Sequence, residues 1–385
     1  MSGVTGHGVT SHGYLLDLIR STGGMSRQQL IAETGMSRGT LYGRLDTLAG
    51  LGLVYEAESL GATGGRRPRR IRFDDRGRVV LGIDLGQTHA RISITDLLGS
   101  EIRRADLPLR IEDGARSVLG SVLDHGEKLV AQGSGEQLVG IGVGVPAAVD
   151  LATGWILHPT TLEGWPAESA VDAVGARWDL PVVVENDARA AAVGESRTDE
   201  ETLVHVKVAT GIGCGIVVGA DVLRGARGVA GDIGHVRAIV PGAGSEPLCR
   251  CGRTGCLAAY SSGRALLERL APHGVDTLAG IVSGVDDPAV LAALLDAADV
   301  LGVTLATTVT TVNPHRLVLG GALGVLPPLV QRVRERIYDT VAERARPVVE
   351  GSNLGARATV RGLARLVARR VYAPDAVDET VVRAG

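Results

Sequence analysis

The chain has few rings. Aromatic residues make up 3% of its 385 residues, and phenylalanine occurs once, at Phe73. Its core therefore has to be filled by Val, Leu, Ile and Ala. Lysine is nearly missing, with Lys128 and Lys207 against 38 arginines, a bias that reads as genomic base composition. Four cysteines are too few for a disulfide framework in so long a chain. Three of them fall within eight residues, which argues for metal in a reducing cytoplasm. The longest apolar stretch, Val290 to Val312, is interrupted by Asp296 and Asp299 and stopped by Pro314. It reads as a buried helix feeding a strand, so no membrane span is expected. The polar, glycine-rich segment Met1 to Gly13 lacks the apolar centre of an export signal, and the expected location is cytoplasmic. With 45% hydrophobic and 22% charged residues, disorder and collagen-like repeats are excluded.

What is abundant is glycine, at 54 residues, about double the usual ~7% share. Tight turns and close backbone approaches follow. Charge is uneven: residues 1–78 carry 11 arginines against seven acidic residues, a net +4, and the remainder carries −7. Five arginines crowd into Arg66 to Arg72. A small basic head on a larger acidic body suggests a polyanion-binding module attached to a sensing or catalytic unit.

The head, residues 1–78, reads as three helices and a strand pair. The first helix runs from about Gly13 to Ser21. Ser26, with Gln29 in capping-box spacing, starts a second that runs to about Thr34. Gly35-Met36-Ser37 forms a turn, and Ser37 caps a third helix ending near Gly50. Leu41, Leu45 and Leu48 share one face of it, which leaves Thr40 and Tyr42 outward and Arg38 and Arg44 on the borders. Strands at Leu53–Glu56 and Arg70–Phe73 flank a glycine-rich tip that carries Arg66 and Arg67, with Arg69 beside it. The pattern is that of a winged helix-turn-helix, whose second motif helix enters the major groove of double-stranded DNA. Wing arginines suit phosphates or a narrow minor groove. The expected DNA contacts are Ser37, Arg38, Thr40, Tyr42, Arg44, Arg66, Arg67 and Arg69. The plainer reading is a three-helix interaction module with a solvated arginine loop.

The body shows an internal echo. Val79 to Leu97 reads strand, glycine turn, strand, and Leu203 to Val218 repeats the plan. Two related units of this kind imply two α/β lobes around a cleft. The expected boundaries are 79–189 for the first lobe, completed by 361–385, and 190–360 for the second. Glycine turns at Gly86, at Gly211 and Gly213, and at Gly320 and Gly321 allow backbone amides to approach phosphates. His235 followed by Cys249, Cys251 and Cys256 supplies one imidazole and three thiolates, the ligand set of a closed tetrahedral zinc site. A redox cysteine cluster and buried unligated thiols are the alternatives.

The run Val208 to Ile216, followed by Gly225, Gly231, Gly234 and His235, resembles the signature of the ROK family, as do Gly142 to Pro146, Val184 to Ala188 and the cysteine segment. The resemblance covers about residues 79 to 385, and the head extends it to the family's transcriptional regulators. It implies an actin/hexokinase-like, ribonuclease H-like α/β body, a structural zinc ion, and a sugar subsite at Asn186, Asp187, Asp232 and His235. In family kinases the residue matching Asp187 is the general base toward a sugar hydroxyl. Asp84, Gly86, Thr88, Gly211, Gly213, Gly320 and Gly321 would line the nucleotide phosphates, as working or vestigial turns. Without the resemblance, Glu185-Asn186-Asp187 reads as a strand end and cap for the helix starting at Ala188.

Departures from the kinase pattern weaken a phosphorylating site. Asp232 and Ala258 stand where kinases carry Glu, Gln87 and Ala147 where Gly is common, and His89 where Lys is common. Three readings follow: a sugar-responsive DNA-binding repressor that does not turn its sugar over, an ATP-dependent sugar kinase with a regulatory head, and a regulator whose body docks protein. The first is the expectation. Its effector is a small sugar or sugar phosphate, its form a homodimer or homotetramer reading a pseudo-palindrome.

Overall fold

The computed structural model describes residues 10–58, 69–150, 153–157, 162, 165–166, 169–240 and 245–384. The head has helices His12–Ser21, Arg27–Thr34 and Arg38–Gly50, each started by a serine whose hydroxyl accepts a backbone N–H of the first turn. Ser26 and Gln29 form the reciprocal box expected of their spacing, and Gly35 ends that helix in the left-handed conformation. Strands β1 (Val54–Glu58) and β2 (Arg69–Phe73) pair antiparallel. The tip carrying Arg66 and Arg67 lies outside the described residues.

In the body, β3 (Arg78–Leu85), β4 (His89–Thr95), β5 (Glu101–Pro108), β6 (Gln137–Val145) and β9 (Val182–Asn186) make the first sheet. Between them, β7 (Ala148–Val149) and β8 (Ile156–Leu157) form a small ribbon. Strands β10 (Thr202–Val208), β11 (Ile212–Val218), β12 (Asp221–Val222), β13 (Arg316–Gly320) and β14 (Val348–Gly351) make the second. The orders are β5-β4-β3-β6-β9 and β12-β11-β10-β13-β14. In each sheet three antiparallel strands are followed by two parallel ones, so the echo seen in sequence is a duplicated topology.

Two helices lie between the sheets. Helix Arg357–Val371 packs on the first sheet and helix Asp187–Glu195 on the second, and they pack on each other. Strand β6 explains the first contact. Ile141, Val143 and Val145 fall on one face and join the outer core, and Gly140, Gly142 and Gly144 fall on the other. A Cβ on Gly142 would stand 2.8 Å from the Leu363 side chain, so the bare stripe is the bed of helix Arg357–Val371. The two helices then cross backbone to backbone. A Cβ on Gly362 would come within 1.7 Å of the Ala190 carbonyl oxygen. Helix Pro288–Val312, long and apolar enough by length and composition to cross a membrane, backs the second sheet, with half of its most apolar stretch buried.

The head shares a core with the body. Leu15, Leu16, Ile19, Leu41, Leu45 and Leu48 join Val80, Val139, Ala364, Val367 and Tyr372 in one buried cluster. The Gly13 N–H donates to Asp378 Oδ1 at 2.8 Å, and Arg20 Nη1 donates to the Tyr372 carbonyl at 3.2 Å. The chain's single Phe73 meets the Tyr372 ring edge-on at 4.9 Å. The C-terminal helices Arg357–Val371 and Pro374–Ala384 thus carry the head on one side and the first sheet on the other.

Candidate functional site

A cavity of about 580 Å³ opens between the two sheets. The ends of β3 and β9 bring Asp84, Asn186 and Asp187 to it, the β10–β11 turn brings Thr210 to Gly213, and the segment after β12 brings Asp232 and His235. Residues Ala358 and Thr359, at the start of helix Arg357–Val371, also line it. Every residue expected at the sugar subsite reaches this one cleft.

Local hydrogen bonding decides what each can offer. Asn186 Oδ1 accepts from the N–H groups of Ala188 and Arg189, both at 3.1 Å, and its Nδ2 donates to the Ala147 carbonyl at 3.1 Å. It is the helix cap, and one amide hydrogen is left for a ligand. Asp187 Oδ1 accepts the Ala188 N–H at 2.7 Å, and Oδ2 accepts from Lys207 Nζ at 2.7 Å. Asp84 is 8% exposed, and its Oδ1 has no partner among the described residues. Burial raises the Asp84 carboxyl above its usual range and the neighbouring Asp187 adds to this, while Lys207 pulls it back. Asp232 and Thr88 are exposed.

The glycine turns have packing reasons of their own. A Cβ on Gly213 would stand 2.9 Å from that of Ala188, and one on Gly320 would stand 2.4 Å from His205 Nε2. Gly321 adopts φ +79° where β13 gives way to the next helix. Of these turn glycines, only Gly211 faces open space. The signature's second glycine therefore seats helix Asp187–Glu195 against β11, whatever else the turn does.

His235, Cys249, Cys251 and Cys256 place their donor atoms within 4.8 Å of one another. His235 Nδ1 is 3.6 Å from Cys249 Sγ, and the Cys251 and Cys256 sulfurs are 3.7 Å apart. Thiolates on a tetrahedral zinc ion at ~2.3 Å lie roughly 3.8 Å from each other, so the four donors fit such an ion. The turn Cys249–Cys256 is closed by the Cys249 N–H donating to the Arg253 carbonyl at 2.7 Å. Because His235 turns Nδ1 toward the cysteines, Nε2 is the nitrogen left for the cleft it lines.

Three polar groups at the cleft escaped the sequence reading. Lys207 is the first. Glu185 and Arg189 are the second, each 2% exposed, paired at 2.7 Å and joined by Arg224, also at 2.7 Å. Arg189 Nη1 donates to the Gly228 carbonyl at 2.6 Å, while its buried Nη2 has no partner among the described residues. His205 is the third. Burial, with the charge of Lys207, pushes its imidazole down to about 3, so it is neutral in the fold. The signals were present: a rare lysine and a histidine at alternate positions of an apolar strand.

On the head, Ser37, Arg38, Thr40 and Tyr42 are exposed on the third helix. Ser37 Oγ is also the cap, accepting the Thr40 N–H at 3.2 Å. Arg44 turns back to His12 Nδ1 at 3.0 Å, and Arg69 pairs with Glu56 at 3.4 Å. Arg66 and Arg67 were placed at this surface by sequence alone and lie outside the described residues.

A two-sheet α/β body with duplicated topology, a cleft between the sheets and a cluster of one histidine and three cysteines at its rim defines a class, and the match agrees with it. The ROK family model matches residues 80–370, and the chain belongs to the ROK family. It is 27% identical over 371 residues to the xylose repressor of Bacillus subtilis, with 92% of this chain and 93% of that one covered. Its fold is that of a ROK family transcriptional regulator homologous to the E. coli MLC protein, at a TM-score of 0.77 and 22% identity over 97% of this chain and 98% of the other. A ROK family glucokinase from Streptomyces griseus, solved with glucose and AMPPNP, is also similar. There the TM-score is 0.64 and the identity 26%, with 75% of this chain and 98% of that one covered.

Proposed function

We propose that the chain is a sugar-responsive transcriptional repressor of carbohydrate-use genes. One observation carries the reading. Helix Arg357–Val371 has Ala358 and Thr359 at the cleft, and its other end, Val367 and Ala368, lies in the core that holds the head. At 1.5 Å per residue its 15 residues span about 22 Å. A ligand that changes the approach of the two sheets tilts this helix, and the head moves with it. The repressor relative supports the reading along 92% of the chain, whereas the glucokinase structure covers 75%.

In this account the head is a winged helix-turn-helix. Helix Arg38–Gly50 enters the major groove of an operator with Arg38 and Thr40 at base edges, and the wing arginines meet phosphates or minor groove. The sugar lies against Asn186, Asp187, Asp232 and His235, with Arg189 Nη2, which has no partner among the described residues, as a further donor. A structural zinc ion on His235, Cys249, Cys251 and Cys256 fixes the imidazole. The protein works in the cytoplasm as a homodimer or homotetramer whose paired heads read half-sites. D-Xylose is the first sugar to test, since the full-length relative is a xylose repressor.

Selection and sequencing of random duplex DNA bound by the protein, with and without a sugar panel, tests the proposal. It predicts a two-fold motif whose recovery changes with one sugar. If no motif emerges under any condition, the head is not a sequence reader and the kinase alternative, with Asp187 as base, takes its place.

A further inference from the structure

Lys207 stands on β10, a strand of the second sheet, and reaches the carboxylate of Asp187, where β9 of the first sheet gives way to helix Asp187–Glu195. Its neighbours in register are Gly213 on β11 and Gly320 on β13. Directly paired residues share a face of the sheet. The lysine therefore has no side chain directly beside it on either neighbouring strand, and Ala188 and the His205 ring fill the space over those two glycines. Lys207 Nζ donates to Asp187 Oδ2 at 2.7 Å. Its charge also acts on Asp84, which Thr359 hydrogen-bonds and whose buried Oδ1 has no hydrogen-bond partner among the described residues. Burial works against the charge on this amine. The two carboxylates outweigh it and hold the group protonated.

Two buried carboxylates at the ends of β3 and β9, facing glycine turns across a cleft, make an oxygen donor set suited to a hard divalent cation. Such a cation typically binds through one or two carboxylates and the phosphates of a nucleotide. A lysine ammonium is a compact point charge on a flexible stem, which the planar fork of arginine cannot imitate. That gives a physical reason for a lysine here in a chain whose other 39 cationic Lys and Arg residues include 38 arginines.

We propose that Lys207 is a resident cation that takes the place of a divalent metal ion between Asp84 and Asp187, so that the cleft accepts a sugar but not a metal-bound nucleoside triphosphate. The inference rests on the cleft reading proposed above and makes Lys207 a specificity-determining residue of that site. Its ammonium occupies the Asp187 oxygen that a base would need free. Arrival of a sugar at Asp187 must share or displace this bond.

The test uses the full chain with its cysteine cluster metal-loaded, and Mn2+ as a spectroscopic probe in electron paramagnetic resonance. A hard ion such as Mn2+ does not compete for thiolates. Wild type is expected to bind no Mn2+ at the cleft. Lys207→Ser is expected to gain one Mn2+ per chain, and Lys207→Ser/Asp84→Asn to lose it again. Lys207→Met, which keeps the stem and removes the charge, gives the same reading if the serine variant fails to fold. Tight Mn2+ binding by wild type that Asp84→Asn abolishes overturns the proposal, and so does a folded Lys207 variant that binds no Mn2+. Calorimetric titration of the same proteins with D-xylose and a hexose panel separates the two readings. If no sugar binds any of them, the sugar-site reading fails, while the Mn2+ result still decides the role of Lys207.

Discussion

Replacing Tyr372 by alanine should free the head from the body. Tyr372 is 2% exposed, its ring lies edge-on to Phe73 at 4.9 Å, and the Arg20 guanidinium sits 5.1 Å from its centroid. Its hydroxyl accepts from Arg78 Nη1 at 3.3 Å, and Arg78 Nη2 in turn donates to the Gly52 carbonyl of the head at 3.0 Å. Truncating a buried aromatic side chain costs about 3–5 kcal/mol. The ring and cation contacts are part of that figure, not additions to it. A loss of about 4 kcal/mol is a large share of the ~5–15 kcal/mol that stabilises a domain, and it raises the undocked population about a thousandfold. Hydrogen exchange reads this directly. Amides of Leu15 to Ile19 in the first head helix should exchange about a thousandfold faster, and those of β10 and β13 should not change. Tyr372→Phe, which removes only the hydroxyl bond, should cost about 0.5–1.5 kcal/mol and accelerate the same amides roughly tenfold at most. Unchanged protection in the head, or equal acceleration throughout the chain, would refute the junction as drawn.

Gly362→Ala should be worse than its single methyl suggests. The new Cβ would press on the Ala190 carbonyl at 1.7 Å, and backbone cannot rotate away as a side chain does. A loss of about 3 kcal/mol or more in thermal unfolding is expected, and an unchanged melting temperature would mean that the helices do not cross this closely. Buried neutral His205 should make the protein acid-sensitive. Its folded pKa, about 3, lies below its unfolded value, so the unfolded chain binds the extra proton and stability falls with pH from about 6.5 toward 3. At pH 5 the loss from this group is about 2 kcal/mol. His205→Gln should flatten that limb of the curve in urea titrations, and an unaltered limb would contradict the assignment. With zinc bound as proposed at the His235 cluster, a strong chelator should lower the melting temperature and weaken sugar binding together, because such an ion would staple the Cys249–Cys256 turn and orient the imidazole. Native mass spectrometry should show one zinc ion per chain before treatment.

Much of the architecture was legible because it is local. Ser26 and Gln29 announce a helix start three residues apart, Gly35 its stop, and the repeated strand–turn–strand segments a duplicated sheet. The cysteine spacing announced the convergence of His235, Cys249, Cys251 and Cys256, since a short turn forces the cysteines together. Contacts that join distant parts of the chain left no such trace. Gly13 meets Asp378 across 365 residues, and neither residue has a pattern that announces the other. The shared core of head and C-terminal helices therefore appears only in the fold. The glycine signature was read as a phosphate cradle, and its backbone freedom allows that, but a sequence cannot show that Gly213 also makes room for Ala188. Asn186 was open to two readings, ligand contact and helix cap. The cap is made, and it leaves one amide hydrogen for the other. Lys207 was counted as a compositional rarity. Its meaning depends on Asp187, which stands 20 residues earlier at the start of helix Asp187–Glu195.

If cleft and head are two ends of one mechanical element, linkage makes a single measurement decisive: calorimetric titration of the effector sugar into the full chain, alone and saturated with its operator. Operator is expected to change the sugar affinity, and by the same factor by which sugar changes the operator affinity. Identical sugar affinities with and without operator would contradict it, however tightly each ligand binds by itself.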